Sequence, residues 1–160
     1  MISQTAEYAL RAVVFLAEND AVAPVHVGDV AAALGTPRNY LSKILHVLAR
    51  DGVLSSMRGP GGGFRLAIGP DRLRLARIIG LFDATPDRRR CVLGRPRCSD
   101  ASPCGAHALW KDVADRVTTF FHDTTIGDVL ASAEVAGVPA AGETIIAPKP
   151  RRRDPRRPAS

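Results

Sequence analysis

Apolar residues recur at helical spacing between Ser3 and Asn19, where Ala6, Leu10, Val13, Val14 and Ala17 follow one face. A core-packing helix is expected there, with Ser3 as its N-cap. The spacing breaks from Asn19 to Pro24, and a second short helix is expected from Val27 to Leu34. It ends at Gly35, the residue type that best tolerates the left-handed conformation after a helix. Thr36 is placed to cap a third helix that has Pro37 at its first position, where a missing N–H is harmless, and that runs through Tyr40, Leu41, Ile44, Leu45 and Leu48 to Gly52. Two short helices joined by a tight turn suggest a helix-turn-helix.

Beyond Gly52 the period changes. Val53 to Arg58 and Phe64 to Ile68 read as strands, and Gly59-Pro60-Gly61-Gly62-Gly63 between them is not expected in a regular element, so the pair forms a hairpin with a glycine-rich tip. Leu73, Ala76, Ile79 and Gly80 predict a helix from about Asp71 to Asp83. Pro86 to Pro103 is a polar loop closed by Cys104. A long helix then runs from Gly105 or Ala106 to about His122, with Trp110, Val113, Val117 and Phe120 at alternating intervals of three and four. In so small a chain that seam must be covered by the body, by a second copy or by both, and a symmetric homodimer is the expectation. Thr125 to Ala131 suggests one more helical segment. Residues 135–160, rich in Ala, Gly, Pro and Arg, are expected to be a disordered basic tail.

The fold class is therefore mainly α with a small β-hairpin wing: a winged helix-turn-helix in residues 1–83, a cysteine-rich loop in 84–104, and a dimerisation helix with a short terminal helix in 105–134. No apolar run approaches the roughly 20 residues of a membrane span, and the N-terminus lacks a cationic segment leading into an apolar core, so a cytoplasmic protein without a membrane partner is expected. No nucleophile–base arrangement or nucleotide motif points to an enzyme.

Net charge is +6, which favours an anionic partner. Much of it sits in residues 148–160, which hold six Lys/Arg and one Asp, and leaves the body nearly neutral. Within the body, residues 38–77 carry eight basic side chains against Asp51 and Asp71. The charge is thus concentrated on the third helix and hairpin, where a nucleic-acid surface would lie. The residues placed to reach bases or phosphates are Arg38, Asn39, Tyr40, Ser42 and Lys43 on the helix, and Arg58, Gly61, Gly62 and Arg65 on the wing. A phosphate-binding loop of the P-loop kind would need a Lys-Ser/Thr pair and a helix after the glycines, and Phe64 to Ile68 reads as a strand instead.

Cys91, Cys98 and Cys104 make an odd count within one short loop, which argues against a disulfide framework and leaves ligands or reactive thiols. Their C-x6-C-x5-C spacing lacks the paired knuckles of common zinc sites, although a Cys3His zinc site fits the same residues. His107, three residues after Cys104 at the start of the long helix, is the first choice for a fourth ligand.

EYALRAVVFLA, NYLSKILHVLARDGVLSSMRGPGGGFRLA and CVLGRPRCSDASPCGAHALW together resemble the IscR and NsrR family of winged-helix regulators, the Rrf-two family, over about residues 1–131. The resemblance implies homodimers on palindromic operators of double-stranded DNA, with affinity controlled by an iron–sulfur cluster that senses redox state, nitric oxide or cluster supply. It also implies two candidates for the fourth ligand. His107 points to an IscR-like 2Fe-2S cluster, the preferred alternative, and Glu7 points to an NsrR-like 4Fe-4S cluster in which the carboxylate arrives from the partner subunit. A metal-free or zinc-stabilised repressor, and a redox enzyme or cluster carrier, are the competing readings.

Overall fold

The computed structural model describes residues 2–19, 24–83, 91–95 and 99–136. In chain order these contain helices α1 Gln4–Glu18, α2 Val27–Ala33 and α3 Arg38–Arg50, strands β1 Leu54–Met57 and β2 Gly63–Leu66, and a 3-10 turn Pro70–Arg72. Helices α4 Leu75–Ile79, α5 His107–Asp123 and α6 Ile126–Ala136 follow. The fold is mainly helical, and β1 and β2 form one antiparallel hairpin with Leu54 opposite Leu66 and Met57 opposite Gly63. Among the described residues no helix is long and apolar enough to cross a membrane.

Helix α1 lies at the centre and packs on α3, α4, α6 and β2. Its first turn is capped as expected, since Ser3 Oγ accepts from the Ala6 N–H (3.2 Å). Its buried face is built from Ala6, Ala9, Ala12, Val13 and Leu16, and the three alanines let neighbouring helices approach closely. Leu41, Leu45 and Leu48 of α3, Val53 and Leu54 at the hairpin, Leu73, Ile78 and Ile79 around α4, and Ile126 of α6 close one continuous core around it. Gly35 ends the α2 turn with a positive φ of 59°, the conformation its position predicted.

Four local expectations are corrected. Thr36 does not cap α3: it is buried, its hydroxyl donates to the Leu34 carbonyl (3.3 Å), and Pro37 takes the N-cap position without a side-chain hydrogen bond. Gly63 belongs to β2, and residues 24–25 run beside that strand through two hydrogen bonds, Val25 N–H to Phe64 O and Phe64 N–H to Val25 O, both 2.9 Å. The helix expected from Asp71 to Asp83 is interrupted. Leu73 and Arg74 are extended because their backbone pairs with the start of α6: Ile126 N–H donates to Leu73 O (2.9 Å) and Leu75 N–H donates to Thr124 O (3.0 Å). Finally, α6 continues to Ala136, so Val135 and Ala136 are helical rather than part of the tail, whose residues 137–160 lie outside the described ones.

The long helix is close to its expected bounds. Only Ala114 on it is buried, while Leu109, Val113, Val117 and Phe120 remain exposed in the single chain. Its N-terminal end sits beside the cysteine loop, and its body packs on α4, which packs on α1.

Candidate DNA-reading surface and cysteine site

Helix α3 separates two faces as an amphipathic recognition helix should. Leu41, Ile44, Leu45 and Leu48 are buried, whereas Arg38, Asn39, Tyr40 and Lys43 are exposed and Ser42 is half-buried. Two contacts fix how that helix is presented. The Tyr40 hydroxyl lies 2.7 Å from the Thr5 hydroxyl, and its ring meets Tyr8 edge-on at 5.9 Å, so the N-terminal turn of α3 is tied to α1. At its other end His46 stands edge-on to Phe64 of β2 at 5.4 Å, which ties α3 to the wing. His46 Nδ1 is 2.7 Å from the Ser42 carbonyl oxygen, one turn back along α3. The hydrogen bond of His46 within α3 and the tie of Tyr40 to α1 both go beyond the reading role that the sequence pattern assigns to this helix. The Ser42–His46 spacing of one helical turn was the available signal for the first.

The wing exposes Arg58, Gly59, Pro60, Gly61 and Arg65. Its glycines are required for different reasons. Gly59 and Gly61 have φ of 95° and 77°, where a side chain is strained. Gly62 is buried, and a Cβ there would overlap the Met57 carbonyl oxygen. At the base of α3, Asp51 accepts from Arg77 Nε (3.3 Å), which reduces the acidic charge near the basic face.

The second candidate site joins the cysteine loop to α5. Cys91 is buried, Cys104 is half-buried, and their Sγ atoms are 3.7 Å apart. Cys91 opens a turn closed by the Gly94 N–H on its carbonyl (2.9 Å), with Gly94 at φ 75°. That turn directs backbone N–H groups at the sulfur. The Arg95 N–H foremost, then the Leu93 N–H, hold the Cys91 thiol below its ordinary range against the opposing effect of burial, with help from Cys104 and the Arg95 charge. Cys98 lies outside the described residues.

His107 is the first residue of α5, and its N–H donates to the Cys104 carbonyl (2.9 Å). Its side chain is 11% exposed, and Nε2 lies 2.9 Å from Asp100 Oδ1. Lys111, one turn further along α5, donates to the same oxygen (2.8 Å). These contacts, the Lys111 hydrogen bond first, bring the Asp100 carboxyl down to about 2. Lys111 stands four residues after His107, a spacing that places both on one face of α5, whereas Asp100 reaches the helix from a non-periodic loop. Glu7 is exposed in the first turn of α1. Among the described residues no three of His, Cys, Asp and Glu gather into a metal-holding group, so neither His107 nor Glu7 completes a set of three with the cysteine pair.

The chemistry of the donor set nonetheless suits a thiophilic metal centre. It offers two sulfurs at chelating distance, backbone donors on one of them, and an imidazole at the adjoining helix start.

Comparison with known proteins agrees with this architecture. Residues 2–132 match the model of the Rrf2 family, described as an iron-dependent transcriptional regulator. The chain is 32% identical over 153 residues to the HTH-type transcriptional regulator IscR of Escherichia coli, covering 96% of this chain and 94% of that one. Among solved structures it superposes on IscR of T. potens with a TM-score of 0.67 at 24% identity, over 85% of this chain and 90% of that one. It also superposes on CymR, the global cysteine regulator of B. subtilis, with a TM-score of 0.70 at 23% identity, over 82% and 97%.

Proposed function

Since this chain belongs to the Rrf2 family of transcriptional regulators, we propose that it works as a homodimer that reads palindromic double-stranded DNA through α3 and the wing, with affinity set by an iron–sulfur cluster. Its relatives are named as transcriptional regulators, in keeping with a binding protein rather than an enzyme. The observation that carries the DNA reading is the sorting of α3, with Arg38, Asn39 and Lys43 exposed beside the exposed wing residues Arg58 and Arg65 and four apolar residues locked beneath. Arg38, Asn39, Tyr40, Ser42 and Lys43 are assigned to base edges and phosphates of the major groove, and Arg58, Gly61, Gly62 and Arg65 to the adjacent backbone or minor groove. Residues 1–83 form the DNA-binding unit, 84–104 the sensor loop and 105–134 the dimerisation unit. The uncovered seam of Val113, Val117 and Phe120 supports the homodimer.

Cys91, Cys98 and Cys104 are assigned as thiolate ligands with His107 as the fourth, in a 2Fe-2S arrangement. Glu7 of the partner subunit is the alternative fourth ligand. When bound, such a group supplies redox- and nitric-oxide-sensitive chemistry. The chain's own contribution is to hold the ligands and transmit their position. The Arg95 and Leu93 N–H groups stabilise the Cys91 thiolate, and Asp100 holds the His107 ring at the start of α5. From there α5 bears on α4, α4 on α1, and α1 on α3. Asp83, just beyond α4, accepts from the Ser3 N–H (2.6 Å) and links the approach to the sensor loop with the first turn of α1. Two loop states that bias this stack differently would present the paired recognition helices at different spacings.

A second reading is a zinc-stabilised repressor, because two thiolates 3.7 Å apart also suit zinc. Metal, acid-labile sulfide and DNA affinity measured on one anaerobic preparation separate the two. Iron and sulfide in equal amounts, with affinity that changes when they are removed, support the cluster reading. Zinc without sulfide supports the second, and loss of sequence-specific binding in every state overturns both.

A further inference from the structure

Building on the reading of the cysteines as metal ligands, we propose that Cys91 and Cys104 bind one and the same metal ion as a two-thiolate chelate, rather than two different irons of a cluster. A tetrahedral ion with metal–sulfur bonds of about 2.3 Å places two of its thiolates about 3.8 Å apart. The observed separation is 3.7 Å. A disulfide would require about 2.05 Å. Thiolates on separate irons stand further apart, because an iron–iron separation intervenes and the terminal ligands point outward from the core.

The two sulfurs are brought to that distance by independent pieces of backbone. Cys91 is set by the turn that Gly94 closes, and Cys104 by the residues leading into α5, whose His107 N–H holds the Cys104 carbonyl. The Arg95 and Leu93 backbone N–H groups also reach Cys91, where they favour an anionic sulfur. Binding one divalent cation releases the two thiol protons to solvent and forms two metal–sulfur bonds, with no change in oxidation state.

The consequence selects among cluster types. A 2Fe-2S cluster accommodates two cysteines of one chain on a single iron. A 4Fe-4S cluster gives each cysteine its own iron, and its three thiolates could not include a pair this close. The remaining ligands of a 2Fe-2S cluster then belong to the other iron.

The test is cadmium-113 NMR on the full-length protein, freed of cluster and loaded with one equivalent of cadmium alone. A single cadmium resonance with scalar coupling to the β-protons of both Cys91 and Cys104 is expected. Coupling of that resonance to only one of the two, or of the two cysteines to different cadmium resonances, overturns the inference. Cys91→Ser and Cys104→Ser provide a second measurement: each should lower cadmium affinity by a comparable factor, whereas an effect confined to one of them contradicts a shared ion. Iron and sulfide uptake by the same preparation isolates the underlying reading. Shared coupling without sulfide uptake keeps the chelate and removes the cluster, while sulfide uptake with divided coupling keeps the cluster and removes the chelate.

Discussion

Replacing Gly63 with Ala tests how the wing is seated. A Cβ at this position would overlap the Val25 carbonyl oxygen, a backbone atom that cannot swing aside as a flexible side chain would. The adjoining pair of hydrogen bonds, Val25 N–H to Phe64 O and Phe64 N–H to Val25 O, would have to open. At about 1 kcal/mol net for each, their loss destabilises by about 2 kcal/mol. Phe64 is only 6% exposed, and partial withdrawal from the core adds about 1 kcal/mol of lost burial. The expected loss is therefore about 3 kcal/mol, a large share of the roughly 5–15 kcal/mol that stabilises a domain. Because His46 of α3 rests against Phe64, the wing should also shift relative to the recognition helix and weaken DNA binding. Urea unfolding followed by circular dichroism measures the first effect. Gly28→Ala is the control, since a Cβ there meets nothing within 4 Å and its φ is not positive. Gly28 lies inside α2, where Ala should be neutral or stabilising by up to about 1 kcal/mol. A Gly63→Ala protein within about 0.5 kcal/mol of the wild type, the range of ordinary surface substitutions, would refute this account of the wing.

Three further outcomes are expected. Arg58→Ala, removed twice in the proposed symmetric dimer, should make the slope of log affinity against log salt shallower by about 1.8 if each arginine neutralises one phosphate. Titrations by fluorescence anisotropy at several salt concentrations measure this, and an unchanged slope removes Arg58 from the phosphate contacts. Val117→Glu places a charge in the exposed apolar seam of α5 and should yield monomers in light scattering coupled to gel filtration, whereas an intact dimer would place the interface elsewhere. At the start of α6, Asp128 accepts from the Thr125 N–H (2.8 Å) and hydroxyl (2.7 Å), and these bonds lower its carboxyl pKa, the backbone one first. Its folded value lies below its unfolded one, so its contribution is complete above the ordinary carboxylate range and is lost as pH falls through the lowered value. Acid should thus fray α6 in the wild type, and Asp128→Asn should remove that part of the pH dependence; an identical acid response in both proteins would contradict the role of this cap.

What could be read from the sequence was what local spacing encodes. The periodicity of α1 and α3, the stop at Gly35 and the two strands around the glycine run are local signals, and the structure follows them closely. Failures came where distant chain decided the outcome. Leu73 and Arg74 fit a helical pattern yet are extended, because Thr124 to Ile126 supply their hydrogen-bond partners from about fifty residues away. The glycine run was legible as a tip, but the need for Gly62 and Gly63 arises from carbonyls of Met57 and Val25, which no pattern places beside them. At the cysteine site the candidate residue types were visible, while the 3.7 Å approach of Cys91 to Cys104 and the hold of Asp100 on His107 depend on long-range folding that spacing does not encode.

The proposed function joins its two halves through a dependence of operator affinity on the state of the cysteine site. Its most direct test is the Kd of one anaerobic preparation for a duplex selected by the protein from random sequence, measured with iron and sulfide bound and again after their removal. The two values should differ by about 5- to 150-fold, the usual span of coupling between sites; equal Kd values in the two states, with specific binding retained in both, would show that the cysteine site does not control DNA binding.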